Sequence, residues 1–502
     1  MSEEVVGYTL SMAGQYLPDK IEVTLLSDKL VHRGEYLYIK HPLDGEKKVF
    51  LQAENVFLKR PTSSYDEKLV KDGIIRQDEE RLVGKAVCWQ VGYDDGSGQV
   101  KPVLVPIPPM APVYRPKPEE LESFVNPTGP SISVGTIYPT DVPLRLDLKI
   151  LFRQGALVVG GVGTGKSTLL LSMMLRMLSS IRPIHLLLID WDGEFNVPLL
   201  RQYAEQAGGY VKITASMKIK RVERPLSPHE WYNNFRALSG LAAQDRVMRA
   251  LYSVLKKFEE QGVRAVEWSK KAFEEKILPH IERVEIKERL MEVAERVFSE
   301  LEAENQEEAV DVVKLVESNA LVHADFTDAE NWDEIIHKTR DILEQCYVEA
   351  RRSPDFGVAI FIDEVHNFAP QSPHEGAASK EAYNEMIPLM KLLATTGPRN
   401  GVPLFLATQR LSEVDKFVST QMGQNIFAFR VEDIDLERLR NIVGSDIAYA
   451  ARLLPRGHCI YKGHALKINR PVITVVEKIA DVASVGKDLM TRWGATNASL
   501  GR

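Results

Sequence analysis

Residues 160–167 read Gly160-Gly161-Val162-Gly163-Thr164-Gly165-Lys166-Ser167, and no other stretch restricts the fold of this chain so tightly. The run is a complete GxxxxGK[ST], preceded by the apolar segment Ala156-Leu157-Val158-Val159 and followed by Thr168-Leu169-Leu170-Leu171. That context predicts a buried strand, a glycine-rich turn and a helix, in that order. The glycines let backbone N–H groups turn inward around phosphate oxygens, where a side chain would collide. The helix N-terminus adds its partial positive charge. Gly161, Val162, Gly163, Thr164, Gly165 and Thr168 are therefore expected to wrap the phosphates of a nucleoside triphosphate. Lys166 would reach the β- and γ-phosphates, and Ser167 would give its hydroxyl to Mg²⁺. A dinucleotide-binding fingerprint is excluded, because Lys166 stands where GxGxxG needs its last glycine.

The texture of the sequence changes on either side of this motif. Residues 5–10, 21–26, 36–40, 49–59, 85–92 and 99–106 read as short strands, with Asp94-Asp95-Gly96-Ser97-Gly98 as a turn, so residues 1–110 are expected to form a small β-barrel or sandwich. Eleven of the 27 prolines fall between Pro102 and Pro143, which reads as a semi-rigid linker over 111–150. Strands alternating with helices then predict an α/β core with a mostly parallel sheet, in two parts, 151–227 and 353–480. Its strands are expected at 155–160, 185–189, 211–214, 358–362, 403–407 and 426–429, each an apolar run of the kind buried on both faces. Residues 228–352 lack a clear strand and read as a helical insertion, and 481–502 as a tail.

Composition narrows the classes further. A length of 502 residues suits two to four domains. Lys+Arg total 63 against Asp+Glu 70, a net charge of -7, so any nucleic-acid surface must be local, such as a groove or pore. Cys88, Cys346 and Cys459 form no CxxC pair, which fits buried thiols in a reducing compartment and argues against zinc. No apolar run approaches the roughly 20 residues that span a bilayer, and the acidic start lacks an apolar leader segment. The expectation is a soluble, cytoplasmic chain without a membrane partner.

Two further strand ends carry chemistry. Val358-Ala359-Ile360-Phe361-Ile362 runs into Asp363-Glu364. Asp363 would hold Mg²⁺ through water, and Glu364 could polarise a water for in-line attack on the γ-phosphate. The segment ending Ile189-Asp190-Trp191-Asp192 is a rival, but it lacks an adjacent Asp-Glu pair, which leaves Asp190 and Asp192 supporting roles. The strand ending Ala407-Thr408-Gln409-Arg410 would place Gln409 at the carboxyl edge of the sheet, where ligands of parallel sheets sit. Upstream, Thr396-Gly397-Pro398-Arg399-Asn400-Gly401 is a turn presenting one arginine.

Together, the glycine-rich loop, the strand ending Asp363-Glu364-Val365-His366 and the strand ending Ala407-Thr408-Gln409-Arg410 resemble the HerA/FtsK class of ring-forming DNA motors. The order of barrel, P-loop core and helical insertion is similar to the archaeal HerA family. The resemblance implies a RecA-like core and an ATP- and Mg²⁺-dependent, hexameric translocase or helicase acting on double-stranded DNA. It further implies work beside a NurA-type nuclease in double-strand-break end resection and recombinational repair. The barrel, similar to the N-terminal domain of rotary ATP synthase subunits, would form a collar and dock the nuclease. By position, Glu364 becomes the catalytic carboxylate, Gln409 a γ-phosphate sensor and Arg399 a finger reaching the neighbouring subunit. Arg153, thirteen positions before Lys166, is a further contact to nucleotide across an interface, though no motif fixes it.

Two other functions fit the same motifs. One is a P-loop motor on another cargo, such as a secretion or conjugation coupling ATPase. The other is a scaffold that binds ATP without hydrolysing it, which the intact Asp363-Glu364 pair disfavours. The basic run Lys218, Lys220, Arg221 and Arg224 suits a pore lining and equally an exposed loop.

Overall fold

The computed structural model describes residues 4–10, 17–26, 29–60, 64–73, 83–220, 225–263, 265–306, 309–374, 376–444 and 446–482. The amino-terminal strands alternate inward and outward residues, and six of them close on themselves. Their order is Lys20–Leu25, Glu4–Leu10, Pro112–Arg115, Tyr36–Lys40, Lys48–Lys59 and Val83–Asp94, and the last pairs back onto the first. Closure removes the open sheet edges that would otherwise invite association. Val6, Val23, Leu37, Leu51, Ala86 and Val113 fill the interior. Gly7 cannot be replaced, because a Cβ there would lie 2.3 Å from the Thr24 carbonyl oxygen.

The core is a single 11-stranded sheet. Seven strands run parallel in the order Tyr210–Thr214, Leu321–Asp325, Leu186–Asp190, Ala359–Ile362, Leu404–Thr408, Ala156–Val159 and Asn425–Ala428. Four antiparallel strands extend it: His458–Gly463, Val472–Val476, Ser131–Ile137 and Pro143–Asp147. All five residues of Leu186–Asp190 and of Leu404–Thr408 are buried, as parallel strands covered on both faces require. Across neighbouring strands, Phe361 stacks on Phe405 with ring centroids 4.6 Å apart.

Two expectations are corrected. Residues 111–150 are not a linker: Pro112–Arg115 completes the barrel, Pro118–Val125 is a helix, and Ser131–Ile137 and Pro143–Asp147 are core strands. The prolines mislead because they occupy tolerated places. Pro118 opens a helix, where its missing N–H costs nothing, and Pro143 starts the sheet's edge strand. The helical insertion also ends earlier than residue 352. Leu321–Asp325 lies between two parallel strands of the core sheet, with Trp332–Arg352 as a core helix. The strand is hidden in the sequence by its brevity and by His323, a polar residue that is nonetheless buried because Asp190 and Tyr210 bond both ring nitrogens.

The remaining insertion, 225–306, has a hydrophobic core of its own around Trp231, Phe235, Met248, Leu251, Phe273, Leu290 and Phe298. It joins the sheet through a neck where Ile219 bridges to Val310 and Gln345 bonds both Lys220 O and Val312 N. The barrel, by contrast, is fused to the core: Phe50 stacks on Phe124 at 3.8 Å, and Gln52 donates to the Pro471 carbonyl at 2.6 Å.

Because the insertion packs chiefly on itself, replacing residues 225–306 by a short Gly/Ser linker should leave a core that melts cooperatively. A non-hydrolysable ATP analogue should still raise its Tm. Loss of that shift, with soluble protein recovered, would show that the insertion helps hold the core.

Candidate ATP-hydrolysis site

The strand Ala156–Val159 feeds the loop into the helix Lys166–Ser180. Gly163 and Gly165 have φ of +68° and +123°, conformations that L side chains rarely adopt. A Cβ on Gly160 would sit 2.5 Å from Phe429 Cβ, so the loop is packed tightly on the strand beside it. Neighbouring segments clamp it: Gly161 N–H donates to Arg430 O at 2.8 Å, and Gly457 N–H to Thr164 O at 2.9 Å. Thr164 Oγ1 donates to Gly161 O at 2.8 Å, Val162 is exposed at the tip, and Thr168 is half-buried in the first helical turn.

Lys166 is buried, yet among the described residues its Nζ meets only Gly161 O at 3.4 Å and Glu364 Oε1 at 3.8 Å. A buried ammonium with such long contacts is under-bonded, and triphosphate oxygens are the partners that would complete it. Ser167 Oγ donates to Asp363 Oδ2 at 2.8 Å. These two oxygens are the pair expected to hold Mg²⁺. Among the described residues no three His, Cys, Asp or Glu side chains converge as a metal cage. Mg²⁺ suits a site of this kind, since it takes one or two protein oxygens and fills its shell with phosphate and water.

Glu364 is one of two non-glycine residues with positive φ among those described, at +49°. Strain of this kind persists where the surroundings over-determine it, commonly at functional sites. The kink turns the carboxylate toward the strand Leu404–Thr408: Gln409 N–H donates to Glu364 Oε2 at 3.0 Å, and His366 Nδ1 lies 3.3 Å from the same oxygen. His366 Nδ1 is also 3.2 Å from Thr408 Oγ1, and Thr408 O accepts from Gly160 N–H at 3.2 Å. Glu364, His366, Thr408 and the start of the P-loop are thus one connected network. The motif alone gives His366 no role; its neighbourhood comes from the strand pairing.

The two carboxylates are driven apart. Burial alone would raise Glu364, but His366, Lys166 and the Gln409 contacts outweigh it and hold the group below the usual range. Burial, then the charge of Glu364, pushes Asp363 up to about 7 against the pull of Lys166 and Ser167. The arrangement favours the ionised form of Glu364, the form a water-polarising base would need, and makes the Asp363 carboxyl the easier of the two to protonate. Asp192 is likewise pushed up to about 7 by burial, Glu194 and Asp190. Asp190 itself is structural, accepting from Gly193 N, Phe195 N and His323. Glu194, adding its charge beside Asp363, carries no sequence signal beyond following a buried strand.

The remaining residues lie elsewhere. Arg399 and Arg153 are exposed and precede the strands bearing Gln409 and the P-loop, so both occupy the amino edge of the sheet. A five-residue strand is about 16 Å long, so neither lies beside this chain's own phosphate loop. Arg410 is at the carboxyl edge but pairs with Glu413 at 2.6 Å. Lys218 and Lys220 are in the insertion's neck, where Lys220 pairs with Asp311 at 3.4 Å. Arg221 and Arg224 fall outside the described residues.

A strand-flanked P-loop facing an Asp-Glu pair across the interposed strand Leu404–Thr408 is the arrangement of a P-loop ATPase. Residues 132–331 match the family described as helicase HerA, central domain, and residues 293–429 match the ATPase family associated with various cellular activities. The match over residues 132–331 agrees with the resemblance of the motifs to the HerA/FtsK class of these ATPases. None of the curated proteins matches it. Among solved structures it is similar to VirB4 of Thermoanaerobacter pseudethanolicus, with 15% identity over 70% of this chain and 98% of that one, TM-score 0.42. It is also similar to the bacterial conjugative coupling protein TrwB, with 13% identity over 72% and 92%, TM-score 0.39. A third is the genome packaging NTPase B204 from Sulfolobus turreted icosahedral virus 2, with 13% identity over 64% and 98%, TM-score 0.30. No helix among the described residues is long and apolar enough to cross a membrane.

His366→Ala should lower kcat at least about tenfold while leaving ATP affinity unchanged, since the loss of one bond to a charged group is worth about 1.5–3 kcal/mol. His366→Asn, whose amide can stand near the Nδ1 position, should restore part of the rate. Equal damage to affinity in both variants would assign His366 to packing instead. Asp363→Asn tests the electrostatics. A carboxyl raised in the folded state contributes stability at low pH that is lost as pH rises through about 7. At pH 8 without nucleotide, the Asn variant should therefore melt above the parent, and at pH 5 the gap should be clearly narrower. A lower Tm at pH 8 would contradict the strained carboxylate.

Proposed function

We propose that this chain is an ATP-driven translocase or helicase of double-stranded DNA. It assembles as a ring, a hexamer by resemblance, and works in the cytoplasm with a NurA-type nuclease docked on the barrel in end resection and recombinational repair. The observation that carries the reading is the match of residues 132–331 to the HerA central domain, in a chain whose Lys166, Ser167, Asp363 and Glu364 converge. When bound, Mg·ATP supplies a γ-phosphoryl group open to in-line attack by water. Lys166 neutralises phosphate charge, Ser167 and Asp363 hold the cation, and Glu364 takes up hydrogen bonding from the attacking water. Gln409, whose backbone already touches Glu364, reports γ-phosphate to the sensor strand.

Arg399 and Arg153 fit the ring. In a head-to-tail assembly the exposed amino edge of one sheet can face the nucleotide of the next subunit, so each site is completed only on assembly. The turn Pro398–Asn400 packs on the helix Leu148–Gln154, which would bring both arginines to that interface together. An arginine supplied in trans is worth about 10³–10⁵ in rate in well-studied P-loop enzymes.

The test is ATP turnover with and without duplex DNA. DNA should stimulate the parent severalfold, Lys166→Ala should be inactive, and Glu364→Gln should bind ATP without cleaving it. Turnover indifferent to DNA would favour a motor on another cargo, and no turnover at all a scaffold. Mixing Arg399→Ala with Lys166→Ala subunits should recover activity wherever an intact P-loop meets an intact arginine. If mixed rings form and stay inactive, Arg399 does not act in trans.

A further inference from the structure

The helix Arg246–Glu260 in the insertion has a charge pattern that its own stability does not explain. Val247, Met248, Leu251, Val254, Leu255 and Phe258 bury one face in the insertion's core. At about 100° per residue, Arg246, Arg249, Lys256 and Lys257 fall within an arc of about 100° opposite that face, which Glu260 shares at the helix's last residue. All four are exposed. Among the described residues, ion pairs within the insertion join Lys270 to Glu295, Lys276 to Glu267 and Arg289 to Asp245, and those four cations are in none.

At its amino end the pattern works against the helix, whereas Lys257 in the last turn is favourably placed. Two arginines sit in the first turn, near the positive end of the macrodipole, and Glu259 and Glu260 occupy the negative end. Each such placement is mildly destabilising, as are like charges three residues apart. Asp245 offsets part of this by capping Val247 N at 2.8 Å. Nor is the face a by-product of a basic insertion: the helix Val284–Gln306 carries seven glutamates against three Lys and Arg. Four of the insertion's 13 Lys and Arg side chains are gathered on one face of this helix. Tyr252, 47% exposed, rims the basic arc and meets Tyr232 edge-on at 5.1 Å.

We propose that this face binds the phosphate backbone of nucleic acid, as a second contact separate from the ATP-hydrolysing core. It rests on the reading of the chain as a DNA motor. At about 1.5 Å per residue the four cations span about 16 Å, which matches about five phosphate steps along one strand of a duplex. Long, exposed Arg and Lys stems suit sequence-independent contact, and a planar aromatic at the rim can stack on an unpaired base. The insertion leaves the core after the carboxyl end of the strand Tyr210–Thr214, on the edge that carries the P-loop. Duplex held there would lie on the hydrolysing side of the sheet.

The experiment uses the full chain with Arg246, Arg249, Lys256 and Lys257 all changed to Gln, and a 40-base-pair duplex read by fluorescence anisotropy across a salt series. The parent's log affinity should fall with log salt, and the variant's slope should be shallower by about 0.9 for each phosphate no longer neutralised. A decrease of two to four is expected, with affinity at 0.1 M salt reduced at least tenfold and DNA-free ATP turnover unchanged. A control changing Lys271, Arg283 and Lys287 to Gln on other faces should keep the parental slope. A variant slope equal to the parent's overturns the proposal while leaving the motor reading intact. An equal drop in the control overturns it too, since net charge alone would then be responsible. A parent that binds no duplex removes the motor reading and this site with it. If the variant keeps its slope but loses self-association, the face meets another protein copy, and the nucleic-acid assignment falls.

Discussion

Everything at the site depends on the parallel hydrogen-bonded alignment of three buried strands, Ala156–Val159, Leu404–Thr408 and Ala359–Ile362. The register places Val159 against Thr408 and Ile362 against Leu406. The P-loop, Gln409 and the Asp363-Glu364 pair therefore emerge side by side at one edge. A slip of one residue would send every side chain of a strand to the opposite face. Burial on both faces makes such a slip expensive, and it is this packing that fixes the chemistry. Thr408 lies at the centre, its carbonyl on Gly160 and its hydroxyl beside His366.

The electrostatics follow from that alignment. Two adjacent carboxylates cannot both ionise cheaply in a site of low polarity. The structure resolves the conflict by giving Glu364 donors from three directions and leaving Asp363 with one hydroxyl donor and its own backbone neighbour. The buried ammonium of Lys166 is shared between them. Phosphate and cation would complete both halves together, so binding relieves a tension built into the fold.

Around this centre, the two added modules are attached in different ways. The barrel shares aromatic packing with the helix Pro118–Val125 and so joins the core's own hydrophobic cluster. The insertion has its own core and a narrow neck braced by Gln345. A chain of net charge -7 can still present a local basic face, and Arg246, Arg249, Lys256 and Lys257 form one on a single helix of the insertion.

The P-loop, its flanking strand and helix, and the Asp363-Glu364 strand end were legible in the sequence, because glycine geometry and continuous apolar runs are local constraints. So was the barrel, whose strands alternate with period two. Three things were not legible. The strands after Pro130 and Pro143 were masked by prolines whose tolerance depends on sitting at turns and an edge. Leu321–Asp325 looked helical by context, since nothing in five residues announces that His323 will find Asp190 and Tyr210. The role of His366 and the far-edge placement of Arg399 and Arg153 required knowing which strands are neighbours. The sequence determined the elements and the phosphate loop, through backbone conformation and apolar periodicity. Strand order is decided by which faces pack together over long chain separations, and only tertiary structure could bring Glu364, His366, Thr408 and Lys166 into one network.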